Sequence, residues 1–123
     1  MTEARLRTGR RGEDIACRHL AAAGMVVIER NSRTRTGEID AIALDGRTLV
    51  FVEVKTIRPG GSHGPVRPEL AVGAAKQQRI RRLARAWLAE ASPPPYSGMR
   101  FDVIGVLLRP DGHGTLRHIR DAF

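Results

Sequence analysis

Three residues carry the chemistry most readily read from this sequence: Asp40, Glu53 and Lys55, spaced as Asp-x₁₂-Glu-x-Lys. Two carboxylates and an ammonium at one place form a recognisable chemical set. Hard oxygen donors suit Mg²⁺ or Mn²⁺. Such an ion acidifies a water, polarises a phosphoryl oxygen and stabilises a leaving oxygen. A lysine beside it orients the attacking water or offsets developing negative charge. Side chains alternate along a strand, so Glu53 and Lys55 share a face with Leu49 and Phe51. Two charges at the end of an apolar face are costly unless they serve something. The bland alternative is an exposed Glu–Lys pair on an edge strand, worth little to stability.

Whether Asp40 meets Glu53 depends on the elements that hold them. EIDAIAL (38–44) and TLVFVEVKT (48–56) flank Asp45-Gly46-Arg47, a hairpin signal. Directly opposed residues share a face. Pairing Leu44 with Arg47 or with Leu49 therefore brings Asp40 to Glu53, whereas a three-residue turn sends Asp40 to the other side. The remaining elements follow from periodicity. Residues 1–8 read as a loose basic arm, 9–24 as a helix stopped by Gly24, and 25–30 as a short strand. A Gly/Pro-rich loop spans 57–68, with Pro59-Gly60-Gly61-Ser62 expected beside the site. Residues 69–91 read as a long helix ended by Ser92-Pro93, 100–108 as a central apolar strand, and 115–120 as an edge strand. The order αβββαββ, with a helix between the hairpin and the strand at 100–108, implies a crossover. The fold class is thus α/β, a mixed sheet flanked by helices.

Helical spacing adds further residues. Glu13 falls on the inward face of the first helix with Cys17 and Leu20, as a further metal ligand or simply a carboxylate in a first turn. Lys76 lies on the face of Ile80, Leu83 and Trp87 and points toward the site, with Gln77 about 100° round. Arg79, Arg81, Arg82 and Arg85 occupy the opposite face, either a phosphate-tracking stripe or, as the polar side of an amphipathic helix, a solvated face, the second being preferred. Asp102 pairs either with an arginine near the site or with neighbours of Arg100. His19, His63, His113 and His118 show no metal-ligand spacing.

Composition narrows the classes. The 123 residues hold 21 Lys+Arg against 13 Asp+Glu, a net charge of +8, which makes nucleic acid the first partner to expect. Only Lys55 and Lys76 are lysines, so both positions ask for a reason beyond charge. Arg10, Arg11, Arg35, Arg58, Arg67, Lys76 and Gln77 are expected to approach DNA phosphates. Aromatic residues are 4%, too few for a base-stacking platform, so backbone and shape should dominate recognition. No glycine loop of nucleotide-binding type is present, so no nucleotide cofactor is expected. No run is apolar enough to span a membrane, and the amino-terminal stretch lacks the apolar core of a secretory signal. The single cysteine, Cys17, allows no internal disulfide and suits a reducing cytoplasm. The length suits one domain.

At Gly12-Glu13, Asn31, Gly37-Glu38-Ile39-Asp40, Phe51-Val52-Glu53-Val54-Lys55, Lys76, Arg100-Phe101-Asp102-Val103 and Asp121-Ala122-Phe123, the chain resembles the bacterial YraN-like family. That family is similar to the PD-(D/E)XK nuclease superfamily, closest to archaeal Holliday junction resolvases. The resemblance implies a restriction-endonuclease-like core. It matches Glu13 to the superfamily's acidic helix residue, Asp40 to its metal-binding aspartate, and Glu53 and Lys55 to its Glu-x-Lys pair. It also implies the Val54 carbonyl as an extra metal ligand, and a homodimer. Ile39 stands where the superfamily's name has proline, and no tyrosine follows Gln77 or Gln78 at four residues.

The resulting expectation is a Mg²⁺- or Mn²⁺-dependent endonuclease on double-stranded, branched or flapped DNA, in repair or recombination. Two other readings compete. A non-catalytic or partner-dependent DNA-binding module predicts salt-sensitive binding without a metal requirement. A protein-interaction domain predicts no salt-dependent DNA binding.

Overall fold

The computed structural model describes residues 2–58 and 72–123. Seven elements run in the order α1 (Glu3–Ala22), β1 (Val26–Thr34), β2 (Gly37–Asp45), β3 (Thr48–Ile57), α2 (Ala74–Glu90), β4 (Gly98–Leu108) and β5 (Gly114–Ile119). The strands form one five-stranded sheet in sequence order. Strands β3 and β4 are parallel, while the other three pairings are antiparallel. The expected α/β class, mixed sheet and element order are what the chain adopts.

The β2–β3 hairpin places Asp45 opposite Thr48 and Leu44 opposite Leu49. Gly46 takes the first turn position at φ 60°, a left-handed value that glycine adopts freely. This is one of the two registers that put Asp40 on the face of Glu53.

Alternation along the central strands fills two layers. Val50 and Val52 pack with Ala16, Cys17 and Leu20 of α1 and with Ile104 and Val106 of β4. Leu49 and Phe51 point the other way, onto Leu83, Ala84 and Trp87 of α2. Each helix thus covers one face, and β3, buried on both, reads as a nearly continuous apolar run. β4 is flanked on both sides and β5 lies at the edge, both as expected.

Four boundaries differ from the sequence reading. The stretch expected as a loose arm is helical from Glu3 onward and forms the first turns of α1. Its hydrophilic sequence concealed this, because Arg58, bonded to the Ala4 carbonyl and the Thr8 hydroxyl, holds those turns to the rest of the fold. β1 continues through the polar Arg30–Thr34 because it pairs with the start of β2, after an irregularity between Val27 and Glu29. α2 begins only at Ala74, since Gly73 before it is extended (φ −73°, ψ 172°). β5 is shifted one residue earlier, to Gly114–Ile119. Arg67 and the segment 59–62 lie outside the described residues.

Candidate active site

The C-terminal ends of β3 and β4 lie at the same end of the sheet, with Ile57 beside Leu107. Ligands of open α/β sheets commonly bind outside such carboxyl ends. Here α1 crosses close to β3. A Cβ at Gly12 would stand 2.9 Å from both Cβ and Cγ2 of Thr56, and nearer still to its hydroxyl. The absent side chain lets the helix approach, and Glu13 is the next residue.

An open cleft of about 610 Å³ results, lined by Glu13, Asp40, Glu53, Val54, Lys55 and Lys76, with Thr8 and Arg58 at its side. Five residues that sequence reasoning assigned to catalysis or metal binding are therefore brought together, although they come from α1, β2 and β3. Continuing the hairpin register by one step sets Asp40 opposite Glu53. The Val54 N–H donates to Asp40 Oδ2 at 2.8 Å, which fixes the carboxylate against β3. Lys76 reaches in from the first turn of α2, its Nζ 2.7 Å from Glu53 Oε1. Lys55 is exposed at the cleft and has no ion pair among the described residues.

The electrostatics of the cleft are those of crowded acids. Burial, and then the neighbouring Glu53 carboxylate, push Asp40 from an ordinary value of 3.8 up to about 8, with the Val54 N–H only partly opposing them. Burial also raises Glu13, against a side-chain hydrogen bond from Asn31 that lowers it. Lys76 offsets Glu53 and Lys55 stands at the rim, while the hard oxygen donors gathered around Asp40 are of the kind a divalent cation takes.

Glu38 is a residue that sequence reasoning did not assign to the site. One carboxylate oxygen from each of Glu13, Glu38 and Asp40 lies within 4.8 Å of the other two. The signal was available, because Glu38 and Asp40 are alternate residues of one strand and so share a face. Glu38 also contacts Arg33 at 3.4 Å.

The expected phosphate contacts separate into groups. Arg58 borders the cleft. Arg10 lines an adjoining hollow with Glu13, Asn31, Glu38 and Asp40. Arg11 donates from Nε to the Gly112 carbonyl at 3.2 Å. Arg35 is exposed in the β1–β2 turn. Gln77 does not line the cleft: its amide donates to the Val72 carbonyl at 3.0 Å and secures the start of α2. On the outer face of α2, Arg79, Arg82 and Arg85 are exposed, while Arg81 lies over the rings of Phe101 and Phe123.

Asp102 takes the structural option. It is fully buried, accepts bonds from the Arg100 guanidinium and the Asp121 N–H, and lies 2.7 Å from His118 Nε2. His118 Nδ1 is in turn 3.0 Å from His19 Nε2 on α1, a meeting that their separation in sequence does not announce.

The relatives of this chain agree in extent with the fold. The model described as "Uncharacterised protein family UPF0102" matches residues 12–106, which includes every carboxylate of the cleft as well as Lys55 and Lys76. A UPF0102 protein of Streptomyces griseus subsp. griseus is 53% identical over 113 residues, covering 91% of this chain and 92% of the relative. Another, from Rhodococcus opacus, is 50% identical over 121 residues, covering 96% and 97%. A third, from Frankia casuarinae, is 50% identical over 115 residues, covering 94% of each. With the match running from Gly12 of α1 to Val106 near the end of β4, the chain belongs to the UPF0102 family.

Proposed function

We propose that this protein is a metal-dependent endonuclease that hydrolyses DNA phosphodiester bonds, with branched or flapped DNA among its substrates. The observation that carries the reading is the convergence of Asp40, Glu53 and Lys55 in one cleft, with Glu13 beside them. The PD-(D/E)XK likeness read from the sequence motifs points the same way, as does the net charge of +8.

The residues fit a hard divalent cation. Asp40 and Glu53, with Glu13 and the Val54 carbonyl, would hold Mg²⁺ or Mn²⁺. When bound, the ion supplies Lewis acidity toward a phosphoryl oxygen and an acidified water. The chain's own groups do the rest. Lys55 presents an ammonium at the exposed rim of the cleft, where it orients an attacking water by hydrogen bonding and offsets charge on the phosphoryl group. Lys76 holds Glu53 in one orientation. The Val54 N–H holds Asp40. Arg58 borders the cleft where a phosphate backbone would enter. A reducing cytoplasm suits the buried, unpaired Cys17. A homodimer would present two such clefts to one junction.

The test is a cleavage assay on supercoiled plasmid, a four-way junction and a flap, with Mg²⁺, Mn²⁺ or EDTA, beside Glu53→Ala purified identically. Metal-dependent cutting by the native protein and none by the variant, with DNA binding kept, is expected. Equal cutting by both proteins overturns the assignment of Glu53. Salt-sensitive binding without cutting by either selects the accessory-module reading.

A further inference from the structure

On the far side of Thr8 and Arg58 from the carboxylates lies a second hollow, of about 570 Å³, lined by Arg7, Thr8, Arg11 and Arg58 together with Leu108, Arg109, Pro110 and Gly112. Four arginines meet there, from α1, the end of β3 and the β4–β5 turn. Among the described residues no acid lines the hollow, and none of the four arginines makes an ion pair. The nearest acid in sequence, Asp111, is turned to His113, whose N–H donates to it at 2.9 Å.

Two of these arginines are held by the fold. Arg11 is tied to the Gly112 carbonyl at 3.2 Å. Arg58 donates to the Ala4 carbonyl at 3.3 Å and bonds the Thr8 hydroxyl. Arg7 and Arg109 are exposed and make no such bond. Asp111 acts electrostatically on Arg109 alone, so the four like charges are only partly offset among the described residues, and a bound anion relieves their repulsion. Planar guanidinium forks suit phosphate oxygens in pairs.

We propose that this hollow is a phosphate-binding subsite for the DNA backbone, flanking the phosphate placed in the carboxylate cleft. The proposal rests on the nuclease reading and deepens it. The two hollows share Thr8 and Arg58, so one extended polyanion reaches both. Their linings differ: the cleft mixes carboxylates with Lys55, Lys76 and Arg58, whereas the charged groups of the second hollow are all arginines, which attract a phosphate without a metal. The arginine hollow therefore anchors the backbone independently of metal, and the cleft acts on a neighbouring phosphate. An α1 pair such as Arg7 and Arg11, one turn apart, spans ~6 Å along the helix, comparable with the reach between successive phosphates.

The decisive measurement is the salt dependence of binding to a fluorescein-labelled duplex in EDTA, by anisotropy. It compares the native protein, Arg7→Gln/Arg109→Gln, and Arg79→Gln/Arg85→Gln on the exposed face of α2, all checked by thermal melting. Each lost phosphate contact shortens the slope of log K against log salt by ~0.9, so the first pair is expected to lose ~1.8 and the second nothing. An unchanged slope in the first pair, or equal losses in both, overturns the subsite and leaves the nuclease reading standing. No DNA binding by the native protein overturns that reading and the subsite with it. Polyglutamate binding as strong as DNA, with the same dependence on Arg7 and Arg109, overturns the assignment to phosphate.

Discussion

Lys76 Nζ lies 2.7 Å from Glu53 Oε1, so the ammonium of one helix occupies the carboxylate that a metal would use. The pair is only partly shielded, with Lys76 about one-third exposed, and its strength is accordingly modest. Its position gives it two opposed effects. It neutralises Glu53 beside Asp40, and it adds a positive charge next to the proposed cation site. Lys76→Gln should therefore tighten Mn²⁺ binding severalfold, read by titration calorimetry, while lowering the melting temperature of the metal-free protein by the equivalent of about 1 kcal/mol. Weaker Mn²⁺ binding in the variant would show that Lys76 organises the site rather than competing with the ion.

Asp40 predicts an unusual pH profile for the metal-free protein. Its folded pKa, pushed up to about 8 by burial and by Glu53, exceeds its ordinary value of 3.8. Between those values the folded chain holds a proton that the unfolded chain has released, so stability contributed at this residue falls as pH rises from about 4 to about 8. Asp40→Asn removes the titration. The variant should melt higher than the native protein at pH 8 by at least about 4 °C, and the gap should close toward pH 4. Adding Mg²⁺ at pH 8 should raise the native melting temperature and leave that of Asp40→Asn almost unchanged. Parallel pH profiles for the two proteins would remove Asp40 as the source.

The legible part of the site was the part governed by periodicity. Alternation placed Glu53 with Phe51, parity told the hairpin registers that join Asp40 to Glu53 from the one that separates them, and the helical count turned Glu13 and Lys76 inward. What escaped depended on tertiary contacts. β1 runs on through Arg30-Asn31-Ser32-Arg33-Thr34 because β2 pairs with it, although Asn31 sits at φ 50° and nothing in that polar stretch alternates. The first turns of α1 look like an unattached basic arm until Arg58 is seen donating to the Ala4 carbonyl. His19 and His118 meet only because α1 lies over β5. Gln77 sits at a plausible angle for the cleft, yet it bonds the chain just before its own helix.

Gly12 is where a single methyl group should separate the helix from the sheet. An alanine Cβ there stands 2.9 Å from Thr56 Cβ as well as from Cγ2, so rotating the threonine about χ1 cannot clear it. Gly12→Ala should cost about 1–3 kcal/mol in urea unfolding, by overpacking. It should also depress cleavage beyond the stability loss, because Glu13 is carried away from Asp40. Thr56→Ala in the same chain removes the hydroxyl and Cγ2 and should restore part of both. Loss of stability with native cleavage by the folded fraction would show that Glu13 need not stay near Asp40.

The Asp102 network supplies the last contrast, since it is charged, buried and placed away from the carboxylate cleft. Burial alone would raise Asp102, but His118, Arg100 and the Asp121 N–H together hold it below its ordinary value. Burial lowers His19 in turn, with His118 and Arg120 acting in the same direction. Both shifts have one sign in linkage. The unfolded chain binds protons that the folded chain refuses, so stability rises with pH through each window and is lost on acidification. His19 acts below its ordinary value of 6.5, and Asp102 acts below 3.8 until its lowered folded pKa is passed. Asp102→Asn leaves Arg100 and His118 without their buried carboxylate. It should cost about 3 kcal/mol at pH 7, and it should flatten the acid limb of the stability curve. Because Asp102 does not line the cleft, the folded fraction of the variant should cut DNA at the native rate. Urea melts from pH 3 to pH 8 beside a cleavage assay at low temperature check both statements. A catalytic loss larger than the unfolded fraction explains would move Asp102 from the scaffold into the reaction.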